Sequence, residues 1–268
     1  TSGNAGIYME VSTSNRFENN SIYTNGTSSN TGFELLSNSH NNIFLNNTLF
    51  TFGSSINNYG IRISSSSANH FNLTTVTTRG IASDHAVSLI ASSSSNTFFG
   101  NSFTTLSTTS HGVDVTRDTT ISRNNSFYND QFNITHNKSL EWNGLHNNIA
   151  TNLTFLRNNL TVSFYDFNGT QIRALTLHTN ETNKRADPTN YRNLSAYLNL
   201  TNNTVAPSLF LNISYTSATS ESSAGIWMYA TNQWVNTSFY NQYGVNTVDN
   251  YVFANISNFS GRTFGVFE

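Results

Sequence analysis

Apolar and polar residues alternate in short bursts through the first half of the chain, and the bursts return at a nearly constant interval. Gly6-Ile7-Tyr8-Met9-Glu10-Val11 recurs as Gly32-Phe33-Glu34-Leu35-Leu36, Gly60-Ile61-Arg62-Ile63, Ala86-Val87-Ser88-Leu89 and Gly112-Val113-Asp114-Val115, at steps of 26, 28, 26 and 26 residues. A second burst, Asn15-Arg16-Phe17, returns as Asn42-Ile43-Phe44, Asn69-His70-Phe71 and Asn96-Thr97-Phe98, each 27 residues on. A third reads Asn20-Ser21-Ile22, Asn47-Thr48-Leu49, Thr74-Thr75-Val76, Asn101-Ser102-Phe103 and Asn125-Ser126-Phe127, with the last step shortened to 24. Period-two alternation marks strands with one buried face. One repeat cannot bury that face alone, so the repeats must stack as coils.

Stacking sets like above like. Ile7, Phe33, Ile61, Val87 and Val113 form one interior column, Met9, Leu35, Ile63, Leu89 and Val115 another, and Phe17, Phe44, Phe71 and Phe98 a third. The recurrent Asn20, Asn47, Asn101 and Asn125 are expected to form a corner ladder, broken by Thr74. Asn tolerates the left-handed backbone of a tight corner, and its amide can bond the amide one coil away. The L-x-x-L-x-L-x-x-N signature and helical segments of leucine-rich repeats are absent, and a propeller blade needs about 40 residues. The fold predicted for residues 1–148 is a right-handed parallel β-helix of about five coils of 26–28 residues, with Leu140-Glu141-Trp142 beginning a last coil.

This half resembles the parallel β-helix repeat proteins of the pectin-lyase-like superfamily, in particular the NosD-type repeats, over roughly residues 1–145. From about 150 the strands lengthen, with turn signals between them. Candidates are Leu153–Leu156, Leu160–Phe167, Gln171–His178, Leu194–Leu200, Ser208–Tyr215, Ile226–Ala230, Trp234–Thr237, Tyr251–Ile256 and Thr263–Phe267. Asn168-Gly169 is a hairpin signal, and Asp187-Pro188 and Ala206-Pro207 fall in loops. Strands without helices predict an immunoglobulin-like β-sandwich over residues 149–268, giving an all-β chain. The last strands resemble those closing sandwich domains of archaeal cell-surface proteins.

Composition narrows the function classes. Charged residues are 10% of the chain and the net charge is −2, so there is no basic field for nucleic acid. There are no cysteines for disulfides or thiolate metal sites, and no apolar run long enough to span a bilayer. The aromatics (20 Phe, 12 Tyr, 3 Trp) are spaced as core residues, which argues against disorder.

Carbohydrases on this fold would need carboxylates clustered on neighbouring coils. The closest grouping is Asp84, Asp114 and Asp118, with His85, His111 and Arg117 nearby. Tyr8, Glu34, Arg62, Ser88 and Asp114 share one outward column, where Asp114 has no stacked carboxylate and Glu34 meets Arg62. These read as surface polar ladders, and no catalytic residue is assigned. His85 and His111 sit one coil apart, and with Asp84 they raise a metal site. The NosD resemblance carries a copper association, yet no Met or Cys cluster supports it and two His are incomplete. The expectation is exposed corner histidines, no metal and no cofactor.

Asn-x-Ser/Thr occurs at Asn19, Asn25, Asn46, Asn72, Asn124, Asn133, Asn137, Asn152, Asn159, Asn168, Asn180, Asn193, Asn199, Asn202, Asn212, Asn236, Asn255 and Asn258. Roughly two-thirds of that number would arise by chance in so Asn-, Ser- and Thr-rich a chain. In the doubled Asn19-Asn20, Asn46-Asn47 and Asn124-Asn125, the second Asn is assigned to the ladder and the first points outward. A glycan coat would keep a weakly charged protein soluble outside a cell.

An open β-helix end exposes unpaired backbone and core. No capping segment is seen before the first coil, so either residues outside this sequence or a neighbouring molecule is expected to cap it, the second making a head-to-tail contact, with Thr263–Phe267 expected to pair with a neighbour's edge. The function expected is therefore a self-assembling, N-glycosylated structural subunit of an extracellular filament or surface layer, its partners copies of itself. The alternatives are a glycan- or receptor-binding adhesin module, favoured by outward Tyr8, Tyr23 and Tyr59, and a polysaccharide-degrading enzyme.

Overall fold

The computed structural model describes residues 3–107, 109–115, 122–135, 138–142, 148–156, 160–166, 175–178, 187–195, 197–202, 208–215, 218–236, 242–257 and 262–268. It is an all-β chain, a parallel β-solenoid of about five turns followed by antiparallel strands consistent with a sandwich. The first face stacks β1 (Ala5–Glu10), β4 (Thr31–Leu36), β7 (Tyr59–Ser64), β10 (Val87–Ile90), β13 (Val113–Val115) and β16 (Lys138–Trp142). The second stacks β2 (Arg16–Glu18), β5 (Ile43–Leu45), β8 (His70–Asn72), β11 (Thr97–Phe99) and β14 (Ser126–Tyr128). The third stacks β3 (Ser21–Gly26), β6 (Thr48–Gly53), β9 (Thr75–Arg79), β12 (Ser102–Thr105) and β15 (Gln131–Ile134). β17 (Ile149–Phe155) pairs with both β14 and β15 and joins those faces.

Register follows the repeat. Ile7, Phe33, Ile61, Val87, Val113 and Leu140 are successive partners on the first face, so Leu140-Glu141-Trp142 does begin a further coil. The aromatic column is a stack of nearly parallel rings, with centroids 5.2, 4.4, 4.9 and 4.3 Å apart from Phe17 through Phe44, Phe71 and Phe98 to Phe127. Phe127 therefore continues the second burst. The third burst continues through Asp130-Gln131-Phe132, where Phe103 pairs with Phe132. The expected 24-residue step is thus wrong, and both bursts lengthen to 29 at this coil (Phe98 to Phe127, Phe103 to Phe132). Four of the five first-face bursts open with Gly, the fourth with Ala86, and the Gly is tightly packed where that face meets the third: a Cβ on Gly60 would lie 2.1 Å from Val76 Cγ1.

Three polar ladders run down the corners, where the sequence suggested one. Asn15, Asn42, Asn69, Asn96, Asn125 and Asn148 form the first; in each step the backbone N–H and side-chain Nδ2 of one rung donate to Oδ1 of the next at 2.9–3.2 Å. The remaining Nδ2 proton reaches a backbone carbonyl, as from Asn69 to Ser39, so each amide is saturated. The second ladder holds Asn20, Asn47, Thr74, Asn101 and Asp130, and the third Asn30, Asn58, Asp84 and Ser110. The doubled asparagines divide the work expected of one. Asn19, Asn46 and Asn124 adopt φ of 56°, 51° and 55°, while Asn20, Asn47 and Asn125 are rungs.

Beyond β17 the chain turns antiparallel without leaving its sheets. β18 (Leu160–Asp166) pairs with β17, then β21 (Ser208–Ser214), β25 (Tyr251–Ser257) and β24 (Tyr243–Asn246) extend that sheet. β19 (Leu175–His178) pairs with β16, followed by β20 (Leu198–Asn202), β26 (Arg262–Phe267), β22 (Gly225–Ala230) and β23 (Gln233–Asn236). The last coil is thus continued by the chain's own strands. The expected edge strand Thr263–Phe267 lies inside the sheet, paired on both sides by β20 and β22, so it offers no edge to a neighbour. β24 is a strand the sequence reading missed. Asn168-Gly169 and Ala206-Pro207 lie outside the described residues.

Candidate functional site

The outward side of the first face concentrates the chain's reactive groups. Because the strand turns at Gly60, positions on either side of the inward Gly-Ile pair look outward. This sets Tyr59 beside Arg62, His85 beside Ser88 and His111 beside Asp114 in adjacent coils. In the first three coils Glu34 forms an ion pair with Arg62, whose guanidinium sits 5.9 Å from the Tyr59 ring centre. With Tyr8 and Thr31 they line a groove of about 510 Å³. Tyr8 is 54% exposed, whereas Tyr59 is half-buried and desolvation raises its pKa.

Farther along, the expectation of exposed corner histidines and surface ladders fails. His85, His111, Ser88 and Asp114 are all buried. The imidazole rings stack 4.8 Å apart at 11°, and His85 Nε2 lies 3.1 Å from Asp114 Oδ2. Candidate ligand atoms of His85, His111 and Asp114 fall within 4.8 Å of one another, a spacing compatible with a metal ion. The protonation pattern argues otherwise. His85 Nδ1 accepts the backbone N–H of His111 at 3.0 Å, so the ring's proton sits on Nε2 and is donated to Asp114. A metal at Nε2 would have to move that proton to Nδ1 and break the backbone bond. His85 thus links the His111 backbone N–H to Asp114 Oδ2 through its two ring nitrogens, while Asp114 Oδ1 is buried with no hydrogen-bond partner.

The third member expected with the histidines, Asp84, is elsewhere. Its Oδ1 accepts the N–H and Nδ2 of Asn58, which makes it a ladder rung. Asp118 and Arg117 lie outside the described residues. The register also pairs Asp114 with Glu141 one coil on.

Of the three buried aspartates among the described residues, Asp84 and Asp130 interrupt ladders of amides. Asp130 accepts Asn101 N–H and Nδ2 at 2.8 and 2.9 Å, and burial pushes its pKa up to about 7. Burial also raises Asp84. Neither is followed by an amide rung. A carboxyl group accepts both donors of the rung before it but carries no Nδ2 to pass the chain on, so the run of amide side chains ends at each.

Of the sequon asparagines, Asn19, Asn25, Asn46, Asn124, Asn133 and Asn152 are exposed, and Asn72, Asn193, Asn199, Asn212, Asn236 and Asn255 are half-buried. Asn137, Asn159, Asn168, Asn180 and Asn258 lie outside the described residues; Asn202 falls in β20. Asn46 Nδ2 donates to Asn19 Oδ1 at 2.7 Å, a surface pair beside the interior ladder. No family model, no curated protein and no solved structure matches the chain.

Proposed function

We propose that this chain is a structural subunit of an extracellular filament or surface layer, self-assembling and N-glycosylated. The reading includes a NosD-type repeat of the pectin-lyase-like superfamily and an immunoglobulin-like arrangement of the C-terminal strands. One observation carries it. The amides and two of the carboxylates are rungs that tie coil to coil, so the polar chemistry of the solenoid goes into making a stiff rod. The exposed sequon residues sit at left-handed corners or on outward strand positions, open to a glycosylating enzyme. Since the last coil continues into the chain's own strands, two open solenoid ends do not meet between copies. Among the described residues the strands with one unpaired edge are β1, β2 and β3 at one end and β23 and β24 at the other, and contacts between copies would join one set to the other.

Electron microscopy of the native material is the test. Filaments or lattices with a repeat matching one molecular length are the expected result; dispersed single particles at high concentration would sink the reading. A second reading, an adhesin module, draws on the groove with Tyr8, Tyr59, Glu34 and Arg62, whose rings and charges suit a saccharide. A glycan-array screen distinguishes it. The enzyme reading ranks third, because Asp84 and Asp130 are rungs.

A further inference from the structure

Eight of the eighteen sequons carry an aromatic two residues before the asparagine: Phe17, Tyr23, Phe44, Tyr191, Tyr197, Phe210, Trp234 and Phe253. With 13% aromatics, about two would arise by chance. In a strand, positions i and i+2 share a face, so the ring and the asparagine stand side by side. Phe17 and Phe44 face the core and belong to the Phe column. The others include three sites with an arrangement that serves no core.

At the first, Tyr23 and Asn25 lie on the outward side of β3, and Tyr23 is 65% exposed. Its ring is 5.4 Å from that of Phe52, tilted 49°, and the two line a groove of about 370 Å³ with Asn25 and Arg79. The other two sites are cross-strand neighbours. Phe210 is paired with Asn255, and Asn212 with Phe253, so rings and sequon asparagines alternate as a square on β21 and β25. The Phe rings stack at 5.6 Å. The intervening Leu211, Ile213, Val252, Ala254 and Ile256 are fully buried, which puts the square on the outer side of the sheet. It is an apolar patch with two acceptor amides inside it.

The geometry points to these rings as docking platforms for the first sugars of N-linked glycans on Asn25, Asn212 and Asn255, the apolar face of each sugar lying on the ring of its own strand. This rests on the glycosylation part of the proposed function and goes beyond it by naming the occupied sites and what holds the sugar. Docking removes apolar ring surface from water on folding, so the attached sugar stabilises the strand that carries it.

Site-resolved glycopeptide mass spectrometry of the native protein reads occupancy, and thermal unfolding of variants reads docking. Thr27→Ala and Ser257→Ala delete the hydroxyls of the Asn25 and Asn255 sequons and leave asparagine and ring in place. Ser126→Ala does the same at Asn124, which has Ser122 two residues before it. The same variants made without glycosylation report the effect of the hydroxyl alone. The expected result is occupancy at Asn25, Asn212 and Asn255, a Tm lower by about 2–4 °C for Thr27→Ala or Ser257→Ala only in the glycosylated chain, and loss of that difference in a Tyr23→Thr background. Glycans at other sites with these three bare would overturn the docking and leave glycosylation standing, as would losses no greater than for Ser126→Ala. Bare asparagine at every sequon would overturn both.

Discussion

The two ends of the molecule use the same β pairing to opposite effect. In the solenoid, parallel in-register strands set each residue against its own equivalent one coil away, so Phe stacks on Phe and Asn bonds Asn. In the C-terminal strands, antiparallel pairing sets unlike residues opposite: Leu198 meets Phe264, and Trp227 meets Gly265. There the aromatic rings meet at mixed angles: Tyr197 stacks on Trp234 at 24°, while Trp234 and Phe267 lie 4.8 Å apart at 64°. Parallel stacking lets a polar side chain be buried, because its identical neighbour supplies the missing partner. Among the described residues the antiparallel strands bury mostly apolar groups, with Ser163 and Thr263 as the polar exceptions.

The comparison can be broken most severely in the Phe column. Phe71→Ala leaves a void between two stacked rings and should destabilise by about 3–5 kcal/mol in urea unfolding. Phe253→Ala, on the outer face, should lose about 1 kcal/mol in the unglycosylated chain. Equal losses would show that stacking adds nothing beyond ordinary burial.

The next largest effect is in pH. Asp130 is buried with a folded pKa of about 7, above its unfolded value near 4. The folded chain therefore holds an extra proton between those values. Stability is full below the unfolded pKa and falls as pH rises through 7, by an amount on the order of 4 kcal/mol. Asp84, raised in the same direction, adds to the fall. Stability measured from pH 4 to 8 should decline in the native chain and decline less steeply in Asp130→Asn, where only Asp84 of the two remains; an identical profile in both would remove Asp130 as the cause.

A smaller loss is expected at the ladder. Asn69→Ala takes the acceptor from Asn42 N–H and Nδ2, both buried, and should destabilise by about 2–4 kcal/mol. Asn246 also accepts two backbone N–H groups, from Val248 and Asp249, but in an exposed turn. Its replacement by Ala should lose about 1 kcal/mol or less, because water takes over the freed donors. The smallest effect concerns His85. Because both ring nitrogens of His85 are engaged, added zinc is expected to leave Tm unchanged; a rise that saturates with zinc, and is absent in His111→Gln, would reopen the metal reading.

Legibility in the sequence tracks this contrast. The first-face columns from Ile7 to Val113 were readable residue by residue, because parallel stacking repeats the same demand at each coil. Two of the three ladders escaped notice although Asn15, Asn42, Asn69 and Asn96 were in view as part of the Phe motif. Nothing in a linear pattern says which corner asparagine turns inward. β24 escaped because Tyr243-Gly244-Val245-Asn246 is too short to show alternation; it is held by pairing with β25. The histidines were placed correctly one coil apart but at the wrong depth, since burial depends on what the fold lays over them.

By itself, the sequence determined the coil length, the register of the first face and the all-β class, because these follow from periodicity that any stacking must respect. The tertiary structure alone decided which member of each asparagine pair became a rung and which took the left-handed corner. It decided that Asp84 and Asp130 are rungs, that His85 and Asp114 face each other under cover, and that the C-terminal strands continue the solenoid's own sheets. Those outcomes depend on where a side chain points and what lies beside it across the coil, which are properties of position in space.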